Sequence, residues 1–312
     1  MRTIARTTLQ GMTGLVVLGV LTADPAAQTS AGQAAPAPGE TLSQSYRGSQ
    51  SKNVEYQKIA PFKVFDNLYY VGPGTVAVWL IPTTEGIILI DSAQEPYVDH
   101  VLDSIRKAGF DPKDIKYVLI SHGHLDHYGG AVRIQQASGA RVGMVEGDWR
   151  LVQAPNARGP VPKRDFVLKD GETLTLGSTT LKIYETPGHT PGVLSMELTV
   201  FDAGRPHTAF LHGGSGPRGG VEAARESVAS NNRVAALQGI EVGLTVHSWL
   251  TGVPYPNGGI LERAQQLAQR KPGEPHPFVD PGSFREWMRR VQANSAANLT
   301  KTLAAAGAGS AQ

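Results

Sequence analysis

The sequence predicts an α/β fold in which two packed sheets are covered by helices. Segments with strand character come first, strands then alternate with helices, and the same arrangement follows in the second half. The 36 glycines among 312 residues indicate many tight turns, as in a sheet-rich protein. A hydrophobic content of 40% is enough to build a sizeable core.

The amino-terminal segment has the composition of a secretory signal peptide. Arg2 and Arg6 precede an apolar run over residues 14–21, and mostly small residues follow over 23–27. The apolar run is short for a membrane-spanning helix, which is the alternative interpretation. We therefore expect a signal peptide over residues 1–27 and a protein that is periplasmic or secreted, without stable membrane association after processing.

Composition also predicts where the folded part of the chain lies. Residues 28–55 are rich in Ala, Pro, Ser and Gln, which predicts a disordered linker. The folded domain is predicted over residues 56–303, and residues 304–312 as a flexible tail. The net charge of +2 implies no nucleic-acid partner. No cysteine is present, so thiolate metal sites are excluded.

Apolar alternation and turn residues predict the elements of this domain in order. The first half contains three antiparallel strands, a buried strand, a helix, a further strand and a helix: 62–65, 68–71, 76–81, 86–91, 98–108, 115–120 and 128–136. The second half contains six strands (141–145, 173–176, 180–185, 193–201, 207–211 and 242–246) and three helices (221–237, 260–269 and 284–303).

A cluster of histidines follows the predicted strand at 115–120. Within six positions the chain places His122, His124, Asp126 and His127. Imidazole nitrogen and carboxylate oxygen are the usual protein donors to zinc when no thiolate is available. The cluster lies on a loop at the carboxyl end of a strand, where open α/β sheets keep their sites. The alternative is a solvated polar loop with chance histidines.

Two later histidines occur in similar positions. His189 lies in a loop rich in proline and glycine after the predicted strand 180–185, and His247 directly follows the strand that ends at residue 246. Such loops are fixed by proline and let the backbone approach closely at glycine. We interpret both as further metal ligands; the alternative is an ordinary loop histidine in each case.

The HxHxDH pattern, followed by Gly129 and Gly130, resembles the metal-binding motif of the metallo-β-lactamase superfamily, over about residues 60 to 295. The resemblance implies a one-domain αββα sandwich of two mixed sheets flanked by helices, with the site along one edge between the sheets. It also implies two Zn²⁺ ions, a hydroxide nucleophile between them, and Asp126 as the catalytic residue that orients this hydroxide. The implied ligands are His122, His124 and His189 for the first ion, and Asp126, His127 and His247 for the second.

The end of the strand at 208–211 indicates the subclass. Glyoxalase-, lactonase- and phosphodiesterase-like members place a bridging aspartate there, and two subclasses of zinc β-lactamase place a cysteine. Here the strand runs into His212 and Gly213 without a carboxylate, which is most similar to the third subclass of class B β-lactamases. That resemblance implies hydrolysis of the β-lactam amide, an activity associated with antibiotic resistance. Ser215, Arg218 and Trp249 are the candidates for substrate contacts.

Other functions stay open at this point. A metallohydrolase of the same fold could act on another ester, lactone or thioester, and a non-catalytic periplasmic metal-binding module is a third interpretation. All three concern a small-molecule ligand or substrate, and the oligomeric state stays open. Asp91 is interpreted as a structural residue or a partner of a ligand histidine, and His212 as a hydrogen-bonded structural residue rather than a ligand.

Overall fold

A computed structural model describes residues 36–248 and 253–309 of the chain. These residues form a seven-stranded and a five-stranded sheet, with helices on their outer faces. Both sheets contain parallel and antiparallel pairs. The prediction of an αββα sandwich with two mixed sheets is therefore confirmed.

The first sheet has its strands in sequence order. The strands are β1 (Phe62–Phe65), β2 (Leu68–Tyr70), β3 (Trp79–Thr83), β4 (Gly86–Ile90), β5 (Ile115–Leu119), β6 (Arg141–Val145) and β7 (Phe166–Leu168). Strands β1 to β4 pair antiparallel, whereas β4 to β7 pair parallel. Parallel pairs need crossover connections, which contain α3 (Val98–Lys107) after β4 and α5 (Ala131–Ser138) after β5.

The second sheet has the order β12-β11-β10-β9-β8. Its strands are β8 (Thr173–Leu176), β9 (Thr179–Glu185), β10 (Leu194–Asp202), β11 (Arg205–His212) and β12 (Val242–Thr245). All pairs are antiparallel except β11 and β12, which are parallel and joined through α7 (Val221–Ala235). The loops that follow β9 and β12 therefore lie at the edge of this sheet, where they can carry residues of the functional site.

The remaining helices are α1 (Leu42–Arg47), α2 (Val54–Gln57), α4 (Leu125–Tyr128), α6 (Glu146–Val152), α8 (Ile260–Gln269) and α9 (Pro281–Gly309). The predicted helix over 128–136 corresponds to α5 and begins later, at Ala131, because the chain turns at Gly129 and Gly130 after the separate short helix α4. A Cβ at Gly130 would come within 2.4 Å of the Ser92 carbonyl oxygen, so only glycine fits this close approach.

The largest apolar core fills the space between the two sheets and contains fully buried side chains of both, such as Ile90 and Leu211. Two further apolar clusters lie outside this core, one between each sheet and the helices that cover it. The Trp79 indole also donates a 3.1 Å hydrogen bond from β3 to the Thr245 carbonyl of β12, which ties the sheets together near their site-bearing ends.

Two predicted boundaries are wrong where the structure describes them. The predicted disordered linker over 28–55 is folded from residue 36, with α1 and α2 in it, because Ser43, Ser45 and Tyr46 are buried against the domain. The predicted tail over 304–312 continues α9 as far as Gly309, because its alanines favour helix. The predicted signal peptide over 1–27 lies outside the described residues. No helix within the described ranges is long and apolar enough to cross a membrane.

Candidate metal centre

Three histidines form one compact group at the edge between the sheets. His122 and His124 lie on the loop after β5, and His189 lies on the loop after β9. Their ring centroids are 4.7 to 4.8 Å apart, and their ring planes are nearly perpendicular to one another. One ligand nitrogen from each ring lies within 4.8 Å of the others. This arrangement can offer three imidazole donors to one ion.

A second group lies directly beside the first. Asp126 and His127 belong to α4, and His247 follows β12. The Nε2 atoms of His127 and His247 are 3.2 Å apart, and an Asp126 carboxylate oxygen lies 3.5 Å and 3.8 Å from them. The rings of His122 and His127 are in contact, with centroids 3.9 Å apart. The structure thus brings together all six predicted ligands as two adjacent sets of three.

The histidines are oriented by hydrogen bonds from their Nδ1 atoms. His122 donates to the Gly213 carbonyl at 2.8 Å, His189 to the Gly216 carbonyl at 2.5 Å, and His247 to the Thr75 carbonyl at 2.9 Å. Each bond fixes the tautomer and leaves Nε2 free to coordinate. The His122 Nε2 atom is buried and has no hydrogen-bond partner among the residues that the structure describes, which is costly unless a ligand satisfies it.

The glycine-rich loop after β11 has a role that the sequence left open. Its two carbonyls, those of Gly213 and Gly216, accept the hydrogen bonds from His122 and His189. A Cβ at Gly213 would come 2.0 Å from the Leu194 carbonyl oxygen, and one at Gly214 would come 3.0 Å from the His189 ring. Glycine therefore lets this loop pass close enough to hold two of the predicted ligand histidines.

Asp91 is a partner of a ligand histidine, as its position at the end of β4 indicated. Its carboxylate is fully buried and accepts hydrogen bonds from His127 Nδ1 at 2.7 Å and from the Ser121 backbone and hydroxyl at 2.7 and 2.8 Å. The backbone of Asp91 has φ +64°, an uncommon conformation for a residue with a side chain. This hydrogen bond orients the His127 ring so that its Nε2 faces His247 and Asp126, the other members of the second group.

Electrostatics keep most of these rings neutral. Burial and the neighbouring histidines lower the pKa of His122 and of His247 well below its ordinary value, and burial lowers that of His189 to about 4. His127 differs, because Asp126 and Asp91 outweigh the effect of burial and raise its pKa. Burial also lowers the pKa of His124. Neutral imidazole is the form that binds a metal, so four of the five rings are ready at neutral pH.

His212 occupies the end of β11 without joining either group. Its Nε2 donates to the Asn231 side chain at 3.1 Å, its Nδ1 accepts from the Gly214 backbone at 3.3 Å, and its ring packs edge-on against Trp287. Both ring nitrogens are therefore engaged, as expected for a structural histidine. No carboxylate among the described residues joins the two groups from this strand.

The predicted substrate contacts have different outcomes. A cavity of about 720 Å³ opens over both groups, and Ser215 and Arg218 line it. Trp249 lies outside the described residues, so its role stays a prediction. Sequence reasoning missed two further cations on the cavity wall, Arg158 and Arg47 of α1. Arg47 was missed because its segment was interpreted as a linker.

A buried carboxylate that sequence reasoning also missed joins the two loops of the first group. Asp148 of α6 accepts hydrogen bonds from the Gly123 backbone at 2.8 Å, the Thr190 hydroxyl at 2.8 Å and the Gly192 backbone at 3.1 Å. Gly123 lies between His122 and His124, and Thr190 follows His189. The available signal was its position just after β6, at the same sheet edge as the histidine loop.

Replacing Asp148 with Asn should not destabilise the metal-free protein at pH 7.5. Burial raises the pKa of Asp148 to about 6. Because the folded state holds this proton more tightly than the unfolded state, stability from this group is lost as pH rises through about 4 to 6. The loss is about 3 kcal/mol from a shift of about two units, and an amide avoids it. Thermal unfolding in chelator should show the variant as stable as wild type or more so.

This advantage should shrink as the pH is lowered to 4, where the wild-type carboxyl is protonated. The activity of the variant should be lower than that of wild type. An amide nitrogen cannot accept a hydrogen bond, so one of the three loop donors loses its partner. Asp103→Asn, at an exposed ion pair on α3, is the control. An Asp148→Asn variant that is less stable than wild type at pH 7.5 but not at pH 4 contradicts the prediction.

Solved structures of similar fold include two metallo-β-lactamases. The first is BJP-1 of Bradyrhizobium japonicum, described as a subclass B3 metallo-β-lactamase, with 31% identity, a TM-score of 0.68, and coverage of 79% of this chain and 96% of that chain. The second is the metallo-β-lactamase FEZ-1 of Legionella gormanii, with 28% identity, a TM-score of 0.69, and coverage of 78% and 97%.

Similarity to curated sequences is more local. A hydroxyacylglutathione hydrolase of Methylococcus capsulatus is 38% identical over 76 residues, which cover 24% of this chain and 26% of that relative. Two further hydroxyacylglutathione hydrolases are matched over 31% and 25% of their lengths. The family model of the metallo-β-lactamase superfamily matches residues 71–199, from β3 and the histidine loop to β10. With this match, the fold and the similarity to BJP-1 over nearly its whole length, the chain belongs to the metallo-β-lactamase superfamily and is a hydrolase of that superfamily.

Proposed function

We propose that the protein is an exported dizinc hydrolase that opens the ring amide of β-lactams. The observation that carries the proposal is the pairing of two complete three-residue groups with a β11 end that offers no bridging ligand. The similarity in fold to metallo-β-lactamases of subclass B3 supports it. The residues of the site suggest how such a hydrolysis would proceed.

The two groups fit zinc by their donor chemistry. His122, His124 and His189 would hold one ion, and Asp126, His127 and His247 the other. The orphaned Nε2 of buried His122 supports a resident ligand, since a buried polar atom without a partner is otherwise costly. The histidine Nε2 atoms left free by the Nδ1 hydrogen bonds are the expected donors.

Zinc, when bound, supplies a water of lowered pKa as nucleophile and polarises the amide carbonyl. The chain's own contribution is orientation. The Asp126 side chain is 35% exposed on the cavity side, unlike its fully buried neighbour His127. Its carboxylate is placed to accept a hydrogen bond from the nucleophile and direct it towards the substrate carbonyl. With zinc bound, the water that it activates would take the place of a side-chain nucleophile, so no acyl-enzyme would form.

The cavity supports a substrate that bears a carboxylate. Arg218 is exposed on its wall and Ser215 is half-buried beside it. A guanidinium can pair with the carboxylate that every common β-lactam carries next to the ring. We propose that these two residues, with Trp249 as a further predicted contact, seat the substrate so that the ring carbonyl faces Asp126.

A substrate panel tests the proposal. We expect penicillins, cephalosporins or carbapenems to lose their ring absorbance in the presence of the zinc-loaded protein, and this activity to be lost on chelation and restored by zinc. The panel includes an acyl-homoserine lactone and a glutathione thioester. Turnover of the lactone or thioester far faster than every β-lactam would sink the β-lactamase assignment, and no turnover of any substrate would favour a non-catalytic metal-binding module.

Thioester hydrolysis is the second candidate, because the curated relatives are hydroxyacylglutathione hydrolases. The alignments cover a minority of those relatives, however, and the β11 end lacks the aspartate that the glyoxalase-type resemblance implies. This second function uses the same metal groups and differs from the first in the substrate.

Export gives a separate prediction. Mass spectrometry of the mature protein from the periplasm or medium should find a new amino terminus at about residue 23 to 32, since small residues there precede α1. Recovery of only the full-length chain from the cytoplasm of the native host would contradict export while leaving the hydrolase proposal intact.

A further inference from the structure

Three arginines line the cavity over the metal groups, Arg47, Arg158 and Arg218, and Arg47 is the half-buried one that comes from a distant part of the chain. Arg218 approaches from the loop after β11, whereas Arg47 approaches from the last residue of α1. We propose that Arg47 is a specificity-determining residue that binds a second carboxylate of the substrate, on the acyl side chain, so that the cavity favours dicarboxylate substrates. This inference rests on the proposed hydrolytic function of the same site.

The amino-terminal end of α1 is fixed to the domain. Thr41 and Gln44 form a reciprocal capping box at the start of the helix. The Ser43 backbone and hydroxyl donate to the Glu262 carboxylate of α8 at 2.7 and 2.5 Å, and the Ser43 hydroxyl accepts from the Leu261 backbone. A helix of six residues would not be stable alone, so these contacts determine its position.

The other end of α1 is held beside the metal groups. Tyr46 is buried, its ring packs against Tyr56, and its carbonyl accepts a hydrogen bond from the Gln57 side chain at 2.8 Å. A Cβ at Gly74 would come 1.9 Å from the Tyr46 ring, so the loop at Gly74 lies directly on this side chain. The next residue, Thr75, supplies the carbonyl that orients His247. The segment that carries Arg47 is therefore packed against the backbone that supports a predicted ligand.

Arg47 is half-buried without a matching carboxylate. None of the ion pairs between described residues includes it, and Asp126 is the carboxylate whose charge most affects its pKa. Burial lowers the pKa of Arg47, the charge of Asp126 raises it, and nearby Arg218 lowers it. Taking a cation out of water is costly unless it gains a partner. The Arg47 guanidinium faces the cavity and is held there at this cost. It is therefore suited to bind a carboxylate of the substrate.

Arg47 and Arg218 come from different segments of the cavity wall, and we assign them different carboxylates of the substrate. Under the proposed function, Arg218 and Ser215 receive the carboxylate next to the ring. Arg47, from another segment of the cavity wall, would then meet a group on the acyl side chain. The alternative is that Arg47 only supports the charge of Asp126. That role would affect every substrate equally, whereas a carboxylate receptor affects only substrates with the second carboxylate.

Benzylpenicillin and its α-carboxy derivative differ by this one carboxylate and form the test. In the zinc-loaded full-length protein, Arg47→Gln should lower kcat/KM for the α-carboxy derivative about tenfold, mainly through KM, and change that for benzylpenicillin less than about twofold. Arg218→Gln should lower kcat/KM for both substrates. Arg47→Lys, which keeps the charge but not the planar fork, should recover part of the difference.

Arg150→Gln is the matched control, because Arg150 lies on the exposed side of α6 in an ion pair with Glu146. Equal loss for both penicillins in Arg47→Gln, with unchanged thermal unfolding, would overturn the proposal in favour of support for Asp126. No loss for either substrate would overturn it as well.

A binding measurement separates this inference from the proposed function. Calorimetry with the zinc-loaded protein gives the Kd values of the ring-opened products of the two penicillins. This measurement does not require the protein to hydrolyse either penicillin. Tighter binding by wild type of the product that carries the additional side-chain carboxylate, lost in Arg47→Gln, supports the inference even if no β-lactam is hydrolysed. Equal binding of both products by wild type would overturn it even if every β-lactam is hydrolysed.

Discussion

Asp126→Ala is expected to abolish turnover more thoroughly than it weakens metal binding. Asp126 has two proposed roles, as one of three ligands in its group and as the group that orients the nucleophile. Its carboxylate lies 3.5 Å from His127 Nε2 and 3.8 Å from His247 Nε2, and it belongs to a four-residue helix directly after His124. Removing it leaves the first group complete and the second with two histidines.

The expected loss of kcat is about a hundredfold or more, since a misaligned nucleophile alone commonly costs that much. The measurement is kcat at saturating zinc, beside the zinc content of the same sample. Asp126→Asn keeps the shape but not the charge and should also be strongly impaired. Asp99→Ala, at an exposed ion pair on α3, should retain wild-type activity. An Asp126→Ala variant with more than about a tenth of the wild-type rate, a loss under about 1.4 kcal/mol, would show that the assigned role is wrong.

The second large effect concerns the metal itself. After removal of free metal, the zinc-loaded protein should contain close to two zinc ions per chain, one for each three-residue group. Because an ion held only by the folded state adds to stability, chelation should lower the free energy of unfolding. The expected change is about 4 kcal/mol for each ion present at a thousand times its Kd.

Single variants assign the ions to their groups. His189→Ala and His247→Ala should each bring the zinc content towards one, the first by disrupting the group with His122 and the second by disrupting the group with Asp126. His100→Gln, on α3 and in neither group, should keep two. A reproducible content near zero in wild type would rule out the metal site, and a content near one would put the second group in doubt.

The sequence identified the six central residues because each follows a predicted strand and carries a donor that zinc favours. Strand ends can be located from local patterns, and the carboxyl ends of such strands meet at one edge. For the same reason Asp91 could be connected with a ligand histidine before its bond to His127 was visible. The two-sheet fold was predictable from the order of elements, whereas the division of α4 from α5 depended on how closely Gly130 approaches Ser92.

What the sequence could not predict depends on contacts between distant segments. The composition around α1 indicates disorder, and the helix is fixed by Ser43 bonding to Glu262, 219 positions away. Arg47 could not be placed without that contact. Asp148 likewise looks like an ordinary helix residue until its bonds to Gly123 and Thr190 are seen. The carbonyls of Gly213 and Gly216 leave no trace in side-chain patterns, because the backbone supplies the acceptor.

This use of the backbone in the loop after β11 bears on how the enzyme can evolve. An acceptor that belongs to the main chain survives a change of side chain, so Ser215, Pro217 and Arg218 can vary while the supports of His122 and His189 stay in place. Gly213 cannot, because a Cβ there would come 2.0 Å from the Leu194 carbonyl oxygen, and a Cβ at Gly214 would press on the His189 ring. The loop thus combines constrained positions with permissive ones. New substrate preferences can accumulate at the permissive positions by single mutations without an intermediate that has lost its metal.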